Sequence, residues 1–168
     1  MTRRLLLIRH AKSAQGGGPD IDRPLADRGR ADAPAIGRWL AAHDLVPDHV
    51  VVSPARRAAQ TWELAAGALP AAVATEVDAR VYDNTVGDLL DVIRETPADV
   101  GTLALVGHNP SFAELAGALD DGQGDRAARR ELADKYPTSG VAAFELATEW
   151  SRTGLGDGTL RAFAAPRG

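Results

Sequence analysis

The chain of 168 residues contains no cysteine, which excludes disulfides, a thiolate nucleophile and any cysteine-based metal site within it. It also lacks a basic excess. With 23 acidic and 19 basic side chains the formal charge is -4, so no broad cationic field invites nucleic acid or an acidic membrane. No stretch approaches the roughly 20 apolar residues of a membrane-spanning helix. The short apolar run after Arg3 and Arg4 is broken by Arg9 before a secretory segment can develop, so an internal strand is the better reading. The cytoplasm is the expected compartment. What the chain does have, 45% hydrophobic and 25% charged residues, suits a globular core under an ordinary surface. Its length fits one α/β domain over residues 1–168.

Residues 5–8 predict a buried strand, because four bulky apolar side chains in a row suit a sheet covered on both faces. Gly16-Gly17-Gly18-Pro19-Asp20 predicts a loop. A helix is expected from Asp27 to about Ala42, with Ile36 and Leu40 on one stripe; Pro34 either kinks it or marks its true start. Residues 50–52 predict the next strand, and Ser53 and Pro54 an N-cap and first-turn residue. Ala58, Trp62, Ala65 and Leu69 share a face of the helix that follows, and residues 71–77 suggest another short strand. Thr85-Val86-Gly87-Asp88 resembles an acidic capping box, with Leu89 or Leu90 packing beside Ile93. Residues 102–106 read as a strand, and Asn109 and Pro110 as the start of a helix burying Phe112, Leu115, Ala116 and Leu119. A short surface helix fits residues 126–135, and two late strands fit residues 141–146 and 159–164. Trp39 and Trp62 are expected in the core, His43 and His49 at polar surface or junction positions, and Trp150 at an exposed sheet edge.

A strand, a polar turn and a helix recur at Arg9-His10, at Ser53 through Arg57, and at Gly107-His108-Asn109. In an open α/β sheet the carboxyl ends of strands bring distant loops to one crevice, and helix N-termini add N–H donors for an anion. The combination points to a phosphate pocket. His10 can attack phosphorus if one ring nitrogen is unprotonated while the other is held by an acceptor. Arg9 and Arg57 can neutralise phosphoryl oxygens through directed hydrogen bonds, and His108 can add a further donor or charge. The glycines at 16–18 follow a loop and do not join a strand to a helix, so they form no dinucleotide fingerprint.

Leu6-Leu7-Ile8-Arg9-His10-Ala11-Lys12-Ser13 resembles the first motif of the histidine phosphatase superfamily, particularly its small prokaryotic phosphohistidine phosphatase branch. Ser53-Pro54-Ala55-Arg56-Arg57-Ala58-Ala59-Gln60-Thr61 resembles its second, arginine-bearing motif, and Gly107-His108-Asn109-Pro110 its later histidine motif. The similarity continues through Asp22-Arg23-Pro24-Leu25, Val81-Tyr82-Asp83 and Pro137-Thr138-Ser139-Gly140, covering most of residues 3–150.

This resemblance implies a three-layer α/β/α sandwich around a mostly parallel sheet, of the phosphoglycerate mutase kind. It implies His10 as the covalent phosphoryl acceptor, with Arg9, Arg57 and His108 enclosing the phosphate, Ser13 as a further phosphate contact and Lys12 as a solvent-exposed rim residue. Ala11 stands where a common family pattern has glycine, and its methyl group can constrain the loop. Asp83 lies where many members supply an acidic proton donor, and it reads equally well as a loop-capping carboxylate near Thr85. The implied activity is removal of phosphate from phosphohistidine in a signalling or carrier protein. A small phosphomonoester is the alternative substrate, and a phosphate-binding protein without turnover the alternative class. The visible ligand pattern calls for no cofactor and no metal, and neither nucleic acid nor membrane is an expected partner.

Overall fold

The computed structural model describes residues 2–168. Six strands form one sheet in the order β3-β2-β4-β1-β5-β6: β1 (Arg3–Arg9), β2 (His49–Val52), β3 (Ala74–Val77), β4 (Thr102–Gly107), β5 (Val141–Leu146) and β6 (Gly158–Ala164). The pairings β3-β2, β2-β4 and β4-β1 are parallel, and β1-β5 and β5-β6 are antiparallel. The helices are α1 (Asp27–Ala42), α2 (Arg56–Ala66), α3 (Val86–Arg94), α4 (Ser111–Leu119) and α5 (Arg126–Asp134).

The apolar run of β1 explains the layering. Side chains alternate along a strand, so Leu5 and Leu7 enter a core with Leu89, Ile93, Phe112 and Leu115 from α3 and α4, which Ala128 of α5 joins. Leu6 and Ile8 enter the opposite core with Ile36, Leu40, Ala58 and Trp62 from α1 and α2. All four β1 residues are fully buried, each contributing about 1.5–3 kcal/mol by leaving water. The result is the three-layer α/β/α sandwich, with α1 and α2 on one face and α3, α4 and α5 on the other.

Several local expectations change. Helix α1 runs through Pro34, so Asp27 is its start. Ser53 and Pro54 do not open α2, which begins at Arg56 after Ala55; the Ser53 hydroxyl instead accepts from the Ala55 N–H at 3.1 Å, inside the turn. Leu69 lies beyond the end of α2 but still packs against its core. Helix α4 begins at Ser111 rather than Pro110, while the Asn109 side chain accepts from the Ala113 N–H at 3.2 Å. The strand sought at 71–77 shortens to β3, an edge strand exposed along its whole length. The capping box at Thr85 and Asp88 forms as expected.

Trp150 is the clearest correction. It lies in a short 3-10 turn, Trp150–Arg152, at only 1% exposure, and its indole N–H donates to the Val100 carbonyl at 2.8 Å. The polar neighbours Ser151 and Arg152 are exposed, which misdirected the reading of the ring between them and the sheet. Truncation by Trp150→Ala is expected to cost about 3–5 kcal/mol, lost packing plus the vacated volume. Urea denaturation with a two-state fit checks this.

Candidate active site

The parallel strands β1, β2 and β4 are in register at their carboxyl ends, Arg9 beside Gly107 and Val106 beside Val52. The residues after them therefore emerge together. The His10 N–H donates to the Gly107 carbonyl at 3.0 Å, and the Ser53 N–H to the Val106 carbonyl at 3.0 Å. Strand β5 runs the other way and delivers the loop before it to the same place. Ser139 donates its N–H to the His10 carbonyl at 3.0 Å, and the Arg9 N–H reaches the Gly140 carbonyl at 2.9 Å. Ser139 takes a φ of 63°, a left-handed conformation that costs a non-glycine residue about 1–2 kcal/mol and here aims that N–H.

The loop after His10 is pinned from two helices. The Ala11 N–H donates to the Thr61 hydroxyl oxygen at 2.9 Å, and that hydroxyl donates to the Arg57 carbonyl at 2.6 Å, tying the His10 loop to α2. On the other side the Lys12 carbonyl accepts from the Ala26 N–H at 2.9 Å, and Gly29 of α1 leaves room where a Cβ would collide with that oxygen. The Ala11 methyl fills an apolar niche with Leu25 and Ala33. The departure from the common glycine is thus accommodated by packing.

His10 and His108 are each 7% exposed, and their rings lie 5.2 Å apart between centroids. His10 Nδ1 lies 2.7 Å from the Ala11 carbonyl oxygen. A carbonyl can only accept, so Nδ1 carries the proton and the lone pair of the neutral ring is on Nε2. Burial first, then the charges of Arg57, Arg9 and Arg23, push His10 down to about 4, against the pull of the Ala11 carbonyl. Burial, then His10 and Arg57, push His108 down to about 3, with Asp20 opposing. Both rings are neutral at neutral pH. His108 Nε2 is paired with the buried Ser53 hydroxyl at 2.7 Å.

Arg57 is buried, and one residue holds its guanidinium twice: NH1 donates to the Asp20 carbonyl at 2.8 Å and NH2 to the Asp20 carboxylate at 3.0 Å. That carboxylate also accepts from the Tyr82 hydroxyl at 2.8 Å and from Arg23 Nε at 3.0 Å. Tyr82 and Arg57 together hold it well below the usual carboxylate range. The Tyr82 ring stands edge-on to His108 at 5.5 Å. Arg9 NH1 donates to the Tyr136 carbonyl at 2.8 Å, an oxygen shared with Asn109 Nδ2 at 3.0 Å. Among the described residues seven buried side-chain N or O atoms lack a partner, and four belong to this cluster: Arg9 Nε, Arg57 Nε, His108 Nδ1 and Ser139 Oγ. Such a concentration of unanswered polar atoms marks a place where a polar ligand compensates lost hydration.

Arg9, His10, Arg57 and His108 therefore converge as expected. Ser13 is reached only through Arg23, whose NH1 donates to its hydroxyl oxygen at 3.1 Å, and Lys12 is exposed. Asp83 is exposed on the wall of a groove of about 570 Å3 that passes His108, Tyr82 and Asn109. Its carboxylate makes no hydrogen bond among the described residues, and the cap on the Thr85 N–H is Asp88 at 2.9 Å. The loop-capping reading of Asp83 falls with that assignment. Another cavity, of about 270 Å3 beside Arg4, His43 and Arg161, contains none of these residues. Sequence reasoning overlooked Asp20, Arg23, Tyr82, Ser53 and Thr61 as members of the cluster. Four of these five lie inside quoted motifs, whereas Asp20 sits in a stretch read only as loop.

The sequence pattern of the histidine phosphatase superfamily, branch 1, matches residues 5–105. The chain belongs to this superfamily. An uncharacterised protein of Mycobacterium tuberculosis is 38% identical over 162 residues, covering 95% of this chain and all of the relative. Among solved structures, one described as a phosphohistidine phosphatase SixA from Nakamurella multipartitia superposes with a TM-score of 0.87 at 27% identity, over 99% of this chain and 97% of that one. A second, described in the same terms from Agrobacterium tumefaciens, gives 0.82 at 28% identity, over 98% of each. The histidine phosphatase fold thus extends over nearly the whole chain.

The two depressed histidines carry a pH signature. Because the native values of about 4 and about 3 lie below the ordinary 6.5, the unfolded chain binds protons that the native pair refuses. Their contribution is fully present above about pH 6.5 and is lost as pH falls toward 4. Urea denaturation across this range is expected to show that loss, with a shallower slope between about pH 5 and 6.5 in the double variant His10→Asn/His108→Asn. Titration of the His10 ring by NMR is expected to place its midpoint near 4 in the free protein.

Proposed function

We propose that this protein is a phosphatase that takes a phosphoryl group onto His10 Nε2 and releases it to water, with protein phosphohistidine as its substrate. The observation that carries this reading is the fixed Nδ1 contact to the Ala11 carbonyl, which leaves the free lone pair of a neutral, largely buried ring on Nε2, near the charges of Arg9 and Arg57. Nε2 attacks phosphorus as the bond to the leaving nitrogen breaks, and the freed imidazole takes its proton from water. Water then attacks the phosphorus held on His10, giving inorganic phosphate and returning the lone pair to Nε2. The arginines and His108 offset the charge that builds on the equatorial oxygens in both transfers. His108 Nε2 is paired with the Ser53 hydroxyl, and Nδ1 of that ring has no protein partner.

The choice of phosphohistidine rests on proton supply. An alkoxide leaving group needs an acid beside it, whereas a phosphorylated imidazole leaves with less assistance. The carboxylate bonded to Arg57, that of Asp20, is held ionised by Tyr82 and Arg57 and has no proton to give. The family membership and the two SixA-described structures support the same substrate class. Asp83 on the groove wall favours a second reading, a small phosphomonoester with Asp83 as donor.

Rapid-quench reaction with a histidine-phosphorylated phosphotransfer domain is expected to label wild-type protein at His10. The variant His10→Ala is expected to lose both label and turnover, and Arg57→Ala about 100-fold or more in rate. Label of normal yield in His10→Ala overturns the assignment, and phosphate binding without label in wild type leaves a binding protein. Asp83→Asn is expected to leave turnover of the phosphodomain unchanged. Faster turnover of p-nitrophenyl phosphate than of the phosphodomain, lost in Asp83→Asn, puts the second reading first.

A further inference from the structure

Asp20 enters none of the steps above, yet it makes the contacts that define Arg57. It belongs to a single 3-10 turn, Asp20–Asp22, reached from β1 through the exposed glycines at 16–18. Its main-chain oxygen takes NH1 of Arg57 and its Oδ2 takes NH2. Oδ2 also accepts from the Tyr82 hydroxyl, which arrives from the loop after β3, and Oδ1 accepts from Arg23 Nε. Three chain segments far apart in sequence thus meet on one carboxylate.

We propose that Asp20 is the positioning residue for Arg57, held in that role by the Tyr82 hydroxyl; this rests on the reading that Arg57 grips the transferred phosphoryl group. A guanidinium has five N–H bonds. Asp20 occupies one on NH1 and one on NH2, so three remain for an oxyanion, the unpartnered Nε–H among them. Two bonds to acceptors on one residue lock the guanidinium plane, which a long, rotatable side chain otherwise leaves free. An exposed ion pair would do little of this; here the Arg57 side chain is buried while that of Asp20 is half-exposed, so the pair is screened from the Asp20 side only. Nor is Asp20 free to act as a stand-in for phosphate that leaves when substrate arrives. Both of its carboxylate oxygens have partners other than Arg57, and its carbonyl is part of the turn. The same contacts make Tyr82 a wall of the pocket, fixed over His108.

The test compares Asp20→Ala, Asp20→Asn and Tyr82→Phe in p-nitrophenyl phosphate turnover, in the rate of His10 labelling, and in inhibition by inorganic phosphate. Asp20→Ala is expected to lower kcat and the labelling rate by about tenfold or more, with a smaller change in KM, and to weaken phosphate inhibition. Asparagine keeps an acceptor oxygen for Arg57, so Asp20→Asn is expected to stay within about threefold of wild type. Tyr82→Phe is expected to fall between them with an unchanged melting temperature, which keeps the test open if Asp20→Ala fails to fold. Equal kcat in Asp20→Ala and wild type, or tighter phosphate inhibition in either Asp20 variant, overturns the inference, the latter being the mark of a competing anion. Wild-type label at His10 with no effect of the variants refutes the positioning role alone. Absence of wild-type label refutes the phosphatase reading, and with it this inference.

Discussion

Everything at the carboxyl end of this sheet depends on the short bond between a histidine ring and the carbonyl of the next residue. By fixing the Nδ1 proton, the Ala11 carbonyl decides which nitrogen of His10 has a lone pair and where it points. That carbonyl could not serve if the loop were free to turn. Its own residue is held through Thr61 to α2 and packed against Leu25 and Ala33, so the ring orientation is inherited from two layers of the fold. A local contact between neighbouring residues thus carries the rigidity of the whole sandwich.

Electrostatics then act on a ring already oriented. Burial and three nearby arginines hold His10 neutral, so its availability does not depend on deprotonation near neutral pH. The same cations that keep a proton away draw an anion in. A buried, positively charged, partly unpaired cluster is costly in the empty protein, and its unsatisfied atoms lie with the arginines and His108 rather than scattered through the core. Asp20 offsets part of this cost with a carboxylate shared between Arg57, Tyr82 and Arg23.

The sequence made the strands and the principal cluster legible because both are written locally. Four apolar residues followed by Arg9-His10 mark a buried strand and its exit, and Gly107-His108 repeats the arrangement on the neighbouring strand. Helix starts were less legible. Ser53 looks like a cap from its neighbours alone, but its hydroxyl faces His108, a partner 55 residues away that no local pattern announces. Trp150 failed for a related reason: its exposed neighbours are adjacent in sequence, while the Val100 carbonyl that receives its N–H lies 50 residues back. Asp20 was hidden among glycines, where composition speaks only of backbone freedom and nothing of the arginine it meets across 37 residues. Asp83 had a recognisable address, yet its side chain ends in solvent, which motif position does not encode.

The reversal of β5 has one more effect. In a purely parallel sheet every loop at this end would be the exit of a strand, but here the entry of β5 joins them, bringing Tyr136, Ser139 and Gly140 against Arg9 and His10. The family pattern ends at residue 105, before His108 and before that entry loop. A fragment cut at that boundary would retain the motif around His10 while losing β5, which pairs with β1 along its length. The matched segment therefore holds only part of the residues that meet at this end of the sheet.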